Sequence, residues 1–147
     1  MTKSDLKIEK ITGQPDEKFA TSVFFKKIEI SEDESGTLTA GILLANAVFE
    51  DVQTTLHDIF AIAVSKIEAG GESYLDLLKE AVLAGGDYLD GRDLEGSFVF
   101  CFFINGICYI AKYKKDVKIW IYKFEKSKQI EFESGSGPYV AGDIFVI

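Results

Sequence analysis

GSFVFCFFINGICYIAKY, residues 96–113, sets two apolar runs on either side of Asn105-Gly106. Asn-Gly between β-branched and aromatic residues is the strongest short-range signal for a two-residue hairpin, because both turn residues tolerate the positive φ it needs. The register that follows pairs Cys101 with Ile110 and Cys108 with Phe103. The two sulfurs then lie on one face as diagonal neighbours. Diagonal separations of roughly 7–8 Å exceed the usual disulfide Cα limit of about 6.8 Å, so two reduced core cysteines are expected.

Upstream of the hairpin the hydrophobic period changes from two to 3.6. In FEDVQTTLHDIFAIAVSKIEAG, Phe49, Val52, Leu56, Ile59, Phe60, Ala63, Val64 and Ile67 form one face of a helix. Glu50 and Asp51 fall in its first turn and Gly70-Gly71 stops it. SYLDLLKEAVLAGGDYLDG gives a second helix, with Ser73 as N-cap, Tyr74, Leu77, Leu78, Ala81 and Val82 as its buried side, and Gly85-Gly86 as its end. Before the helices, FATSVFFKKIEI and TLTAGILLANAVF read as strands around the acidic turn SEDESG. A short edge strand is expected near Leu6–Ile11. After the hairpin come VKIWIYKFE, KQIEFE and DIFVI as strands, with SGSGP at 134–138 as a loop. The order ββααβββββ is an α+β arrangement of mostly antiparallel sheets around a helix pair, in a single domain over 1–147.

Composition narrows the function classes. The 147 residues are 47% hydrophobic and 13% aromatic, with 12 Phe, which excludes a disordered chain. A net charge of −8 argues against nucleic acid or an anionic membrane as partner. The acidity is uneven: residues 1–96 hold 9 Lys/Arg against 19 Asp/Glu, and 97–147 hold 7 against 5. The opening MTKSDLKIEK lacks an apolar stretch, and no run approaches the roughly 18 apolar residues of a membrane helix, so a cytoplasmic protein is expected.

Few residues offer chemistry. His57, the single histidine, falls on the polar face of the first helix beside Asp58. One histidine and two cysteines are too few for a His/Cys metal cluster. Asp87, Asp90 and Asp93 in GGDYLDGRDLEG lack the spacing and bidentate glutamate of a calcium loop. Arg92 is the only arginine. GTLTAGI, residues 36–42, resembles the start of a mature proteasome-type subunit, with Thr37 as nucleophile. That family's aspartate and lysine positions hold Gln53 and Ala69 here.

A broader resemblance covers nearly the whole chain. Two strands, two helices, a hairpin opening on Gly96-Ser97 and a late Gly142-Asp143 strand are similar to the metal-dependent PPM-type protein serine/threonine phosphatases. Gly96-Ser97 stands where that family has its GSTA strand, and GDIFVI resembles its GDxLLLxSDG strand, ending before the metal-binding Asp-Gly. The resemblance implies two metals held by carboxylates and a metal-bound water attacking phosphorus. The family's NED becomes Pro15-Asp16-Glu17, its DGxGG falls at Leu44-Ala45-Asn46, and its GDSR becomes Tyr113-Lys114-Lys115-Asp116. No arginine precedes Asp16 to hold phosphate.

The expectation is therefore a PPM-phosphatase-like sandwich that is catalytically inactive and serves as a protein-binding or regulatory module. No residue is assigned a catalytic, metal or cofactor role, and no cofactor is expected. The alternatives are a divergent metal-dependent phosphatase using Asp16, Glu17 and Asp143, and an N-terminal-nucleophile hydrolase cleaved before Thr37. The apolar final strand, Ile144–Ile147, calls for a partner at a sheet edge, either a second copy or another protein. Trp120, Tyr122 and Phe124, alternating along one strand face, read as core or as a recognition strand.

Overall fold

A computed structural model describes residues 19–45, 51–113, 119–123, 126–130, 133–139 and 143–146. The expected strand near Leu6–Ile11 lies outside them. Ten elements follow in the order β1 (Phe19–Glu29), β2 (Ser35–Ala45), α1 (Val52–Ala69), α2 (Tyr74–Gly91), β3 (Gly96–Ile104), β4 (Ile107–Tyr113), β5 (Ile119–Lys123), β6 (Lys126–Ile130), β7 (Ser134–Pro138) and β8 (Ile144–Val146). The strands form an antiparallel five-stranded sheet ordered β1-β2-β3-β4-β7 and an antiparallel three-stranded sheet ordered β6-β5-β8.

The β3–β4 hairpin has the register read from its turn: Cys101 lies opposite Ile110 and Phe103 opposite Cys108. Asn105 and Gly106 both carry positive φ, 51° and 73°, as a type I′ turn demands. Both cysteines are buried and unlinked. Because β3 is central, it is buried on both faces from Ser97 to Ile104. Phe98, Phe100, Phe102 and Ile104 meet the helices together with Leu38, Ala40, Ile42 and Leu44 of β2. Val99, Cys101 and Phe103 make a second cluster on the opposite face with Cys108, Ile110 and Tyr139.

Helix α1 begins at Val52, so Asp51 is its N-cap rather than a first-turn acid, and its side chain makes no capping bond. Leu56, Ile59, Ala63 and Ile67 form its buried stripe as expected, joined by Thr55. Gly70 ends the helix with φ 77°, a conformation that favours glycine. Ser73 caps α2, its side chain accepting from the Asp76 N–H at 3.4 Å.

Two expectations are corrected. Gly85-Gly86 does not end α2, which continues to Gly91 with both glycines buried inside it. They serve close approach: a Cβ on Gly85 would sit 2.7 Å from Phe98 Cζ, and one on Gly86 2.7 Å from Tyr113 Cε2. The true stop is Arg92–Leu94, where Asp93 takes φ 55° and the Leu94 and Asp93 N–H groups donate back to Leu89 and Asp90 oxygens at 2.9 and 3.1 Å. That is a Schellman closure with aspartate in the position usually given to glycine.

The second correction is SGSGP, which is strand β7 and not a loop. Its partner β4 dictates this, since Gly137 pairs with Cys108 and Gly135 with Ile110, satisfying backbone groups that would otherwise be left without a ladder. Low strand propensity yields to tertiary pairing. The element order is thus ββααββββββ. In the smaller sheet β8 pairs with β5 along Trp120–Tyr122. Tyr122 is exposed, and Phe124 lies outside the described residues.

Two stability outcomes follow. Gly85→Ala should destabilise the domain by about 1–3 kcal/mol, the usual penalty for overpacking, because the Phe98 ring is fully buried and stacked on Tyr113 at 4.8 Å. Asp93→Gly should stabilise it by about 0.5–1 kcal/mol, through relief of the left-handed residue. Urea unfolding midpoints of the two variants check both.

Candidate functional site

Antiparallel packing of α1 on α2 sets Lys66 beside Glu80 at 4.0 Å at one end and Asp58 beside Tyr88 at the other. The Tyr88 hydroxyl donates to Asp58 Oδ2 at 2.7 Å. Arg92, one turn on, donates from Nη1 to the Tyr88 oxygen at 3.2 Å and lies over the same ring, 5.4 Å from its centroid. Asp58, Tyr88 and Lys66, with Ala61, Ile62 and Ser65, line an open groove on the outer side of the helix pair. Burial, and then the hydrogen bond to Asp58, pushes the Tyr88 hydroxyl above its ordinary range. The bond holds the neutral tyrosine hydroxyl against the Asp58 carboxylate. The cluster pins two helices together.

A second polar cluster joins the loop ends. Asn105 Nδ2 donates to Glu34 Oε1 at 3.0 Å, tying the β1–β2 turn to the β3–β4 turn. Tyr74 packs on Phe102 and Tyr109 at 5.1 and 5.5 Å. Burial, then the Glu34 carboxylate, raises its hydroxyl pKa. On the second face of the sheet, the hydrogen bond between Cys108 and Cys101, and then burial, hold the Cys108 thiol well above its ordinary range. A thiol raised in this way resists ionisation to the nucleophilic thiolate.

The residues singled out in the sequence do not converge. His57 is exposed, with its ring 4.8 Å from Phe24. Thr37 is interior to β2, between Lys27 of β1 and Phe103 of β3. Gln53 and Ala69 are exposed at opposite ends of α1, about 24 Å apart at 1.5 Å per residue. Cleavage before Thr37 would also remove β1, which pairs with β2 over its whole length. Asp87 and Asp90 point to solvent from α2, while Asp93 serves the helix stop. Gly96 is required by space, since a Cβ there would lie 2.8 Å from the Leu43 carbonyl oxygen. Ser97 is buried beneath it. Asp143 immediately precedes β8. Asp16, Glu17, Asn46 and Lys114–Asp116 lie outside the described residues.

Taken as a scaffold, an antiparallel sheet whose second and third strands are joined by two helices laid on one face is a specific arrangement. It is similar to the PP2C phosphatase domain, solved with a fragment of the regulatory domain, of the cell fate determinant SpoIIE from Bacillus subtilis, with TM-score 0.54, 11% identity, and coverage of 86% of this chain and 43% of that one. It is likewise similar to the SpoIIE phosphatase domain in a crystal form without domain swapping, with TM-score 0.50, 10% identity, and coverage of 88% and 66%. The fold is that of a PP2C-type phosphatase domain. This chain spans less than half of the first SpoIIE chain and about two thirds of the second. No family model and no curated protein matches it in sequence.

The PP2C-type fold implies metals, and the described residues do not fit them. Among the described residues no three His, Cys, Asp or Glu side chains gather. Where β2 ends, Leu44 is 1% exposed in the core and the Ala45 N–H donates to the Glu95 carbonyl at 2.9 Å. Neither side chain carries a donor for a cation. The Asp58–Tyr88–Arg92 chain escaped the sequence reading because its members are 30 and 4 residues apart and only the helix pairing joins them. Its one sequence signal is the sole arginine, four residues after a tyrosine.

Tyr74, Tyr88 and Tyr139 all have hydroxyl pKa values raised above the ordinary value of about 10, each first by burial. Raised in the folded state, they contribute stability that is complete below pH about 10 and is lost as pH climbs through the folded-state values. Urea unfolding measured from pH 8 to 12 should show this alkaline decline. Tyr88→Phe should make it shallower while lowering stability at pH 8 by about 1 kcal/mol, the net worth of one hydrogen bond.

Proposed function

We propose that this chain is a catalytically inactive phosphatase-like domain, one unit over residues 1–147, that works in the cytoplasm as a protein-binding or regulatory module. The observation that carries the reading is the end of β2. In the phosphatases that the sequence resembles, this strand runs into a metal-binding Asp-Gly motif. Here it closes on Leu44, packed in the core, and Ala45, bonded to the strand-opening segment of β3. An aspartate at Leu44 would bury a charge among Leu and Phe side chains at a cost of several kcal/mol. The position has been given to packing.

The same reading accounts for the polar clusters. The Asp58–Tyr88–Arg92 and Glu34–Asn105 bonds hold helices and turns in place. A net charge of −8 favours a protein or a second copy of the chain over nucleic acid as partner, with an open sheet edge as the contact.

Calorimetric titration with Mn²⁺, run beside p-nitrophenyl phosphate hydrolysis on the same sample, tests the proposal. No saturable binding and no turnover are expected. Micromolar binding with turnover that disappears in Asp16→Ala and Asp143→Ala would overturn it and make the chain a divergent metal-dependent phosphatase.

A further inference from the structure

Strand β1 is the outer strand of the five-stranded sheet, eleven residues long, and among the described residues its free edge has no partner. Long, flat, apolar edges are a hazard that folded proteins blunt or use. On this strand Ala20, Phe24 and Ile28 turn towards the helices. Thr21, Val23, Phe25 and Lys27 turn to the other face, where Phe25 is 62% and Val23 37% exposed. Phe25 is thus a large exposed aromatic in the middle of an edge to which no described residue pairs. Neither the hairpin core nor the helix pair uses it.

The distribution of charge along β1 says what the edge fits. Its first seven residues, FATSVFF, carry none, while Lys26, Lys27 and Glu29 crowd its last four. In a parallel, in-register pair Lys27 would face Lys27, a directly opposed like-charge contact that destabilises a sheet. Antiparallel pairing about a two-fold axis at Phe24 does the reverse. It sets the charged half of each strand against the neutral half of its mate, Lys27 opposite Thr21 and Lys26 opposite Ser22. On the exposed face it places Val23 of each copy directly opposite Phe25 of the other, twice by symmetry. The edge is complementary to itself, as an isologous interface requires.

We infer that the β1 edge is a homodimer interface, in which a second copy of this chain pairs antiparallel with β1 about Phe24, joining two five-stranded sheets into one. This rests on the reading of the chain as a binding module and names both the surface and the partner. The three-residue strand β8 offers a much shorter ladder than β1.

Sedimentation equilibrium of the full chain tests it, with calorimetric Mn²⁺ titration and hydrolysis repeated on each sample so that the two readings can fail separately. The wild type should be a concentration-dependent dimer. Phe25→Lys should be monomeric with an unchanged far-UV spectrum, its side chain lying outside the core. The register is tested at exposed Thr21, which faces Lys27 of the mate. Thr21→Glu should tighten the dimer and Thr21→Lys weaken it, each by roughly two- to thirtyfold across the two symmetric pairs, and Thr21→Lys with Lys27→Glu should restore it. A wild type that is monomeric at every soluble concentration, or a dimer indifferent to Phe25→Lys and to the sign of the charge at residue 21, would overturn the inference. A Mn²⁺-dependent hydrolase with an intact β1 dimer would instead overturn only the inactive reading.

Discussion

Phe98 lies against Gly85, and the remainder of the domain is arranged around that contact. The ring is fully buried, 4.8 Å from Tyr113 and 5.0 Å from Phe100, and it takes the space in which any side chain on Gly85 would stand. Gly86 makes the same room for Tyr113. A helix interior accepts two consecutive glycines at a propensity cost of about 1 kcal/mol each. Burying one Phe side chain returns about 1.5–3 kcal/mol, comparable to the roughly 2 kcal/mol that the two glycines cost together, and the packing of Tyr113 on Gly86 adds to the gain. With α2 seated this low on β3 and β4, α1 follows beside it, and Asp58, Tyr88 and Arg92 come into register.

The same sheet sets the strand pairing that the rest of the fold follows. Strand β2 is the neighbour of β3, and its even-numbered residues from Leu38 to Leu44 are committed to the helix-facing core. Similarity to the SpoIIE phosphatase domain at 10–11% identity is a likeness of fold, carried by strand order and burial.

Among the described residues, several polar groups are held in their neutral form. Tyr74, Tyr88 and Tyr139 each pair a ring in the core with a hydroxyl that is harder to ionise than in water. The Cys108 thiol is held above its ordinary range by the neighbouring Cys101 and by burial. Each arrangement stabilises a neutral group.

Local chemistry determined a good part of this protein from sequence alone. Asn105-Gly106 fixed the hairpin and its register, because the turn demands positive φ at two consecutive residues and few pairs supply it. The 3.6-residue period placed both helices, and Ser73 announced the start of the second. Tertiary structure decided the rest, where the deciding partner is distant in the chain. Gly85-Gly86 reads as a helix stop until Phe98 and Tyr113 are brought against it, and SGSGP reads as a loop until β4 offers it a ladder. The Asp58–Tyr88–Arg92 cluster exists only once α1 and α2 lie antiparallel, and the exposure of Phe25 only once β1 is an outer strand. Backbone preference is written residue by residue, but space and hydrogen-bond partners are supplied by whatever the fold sets alongside.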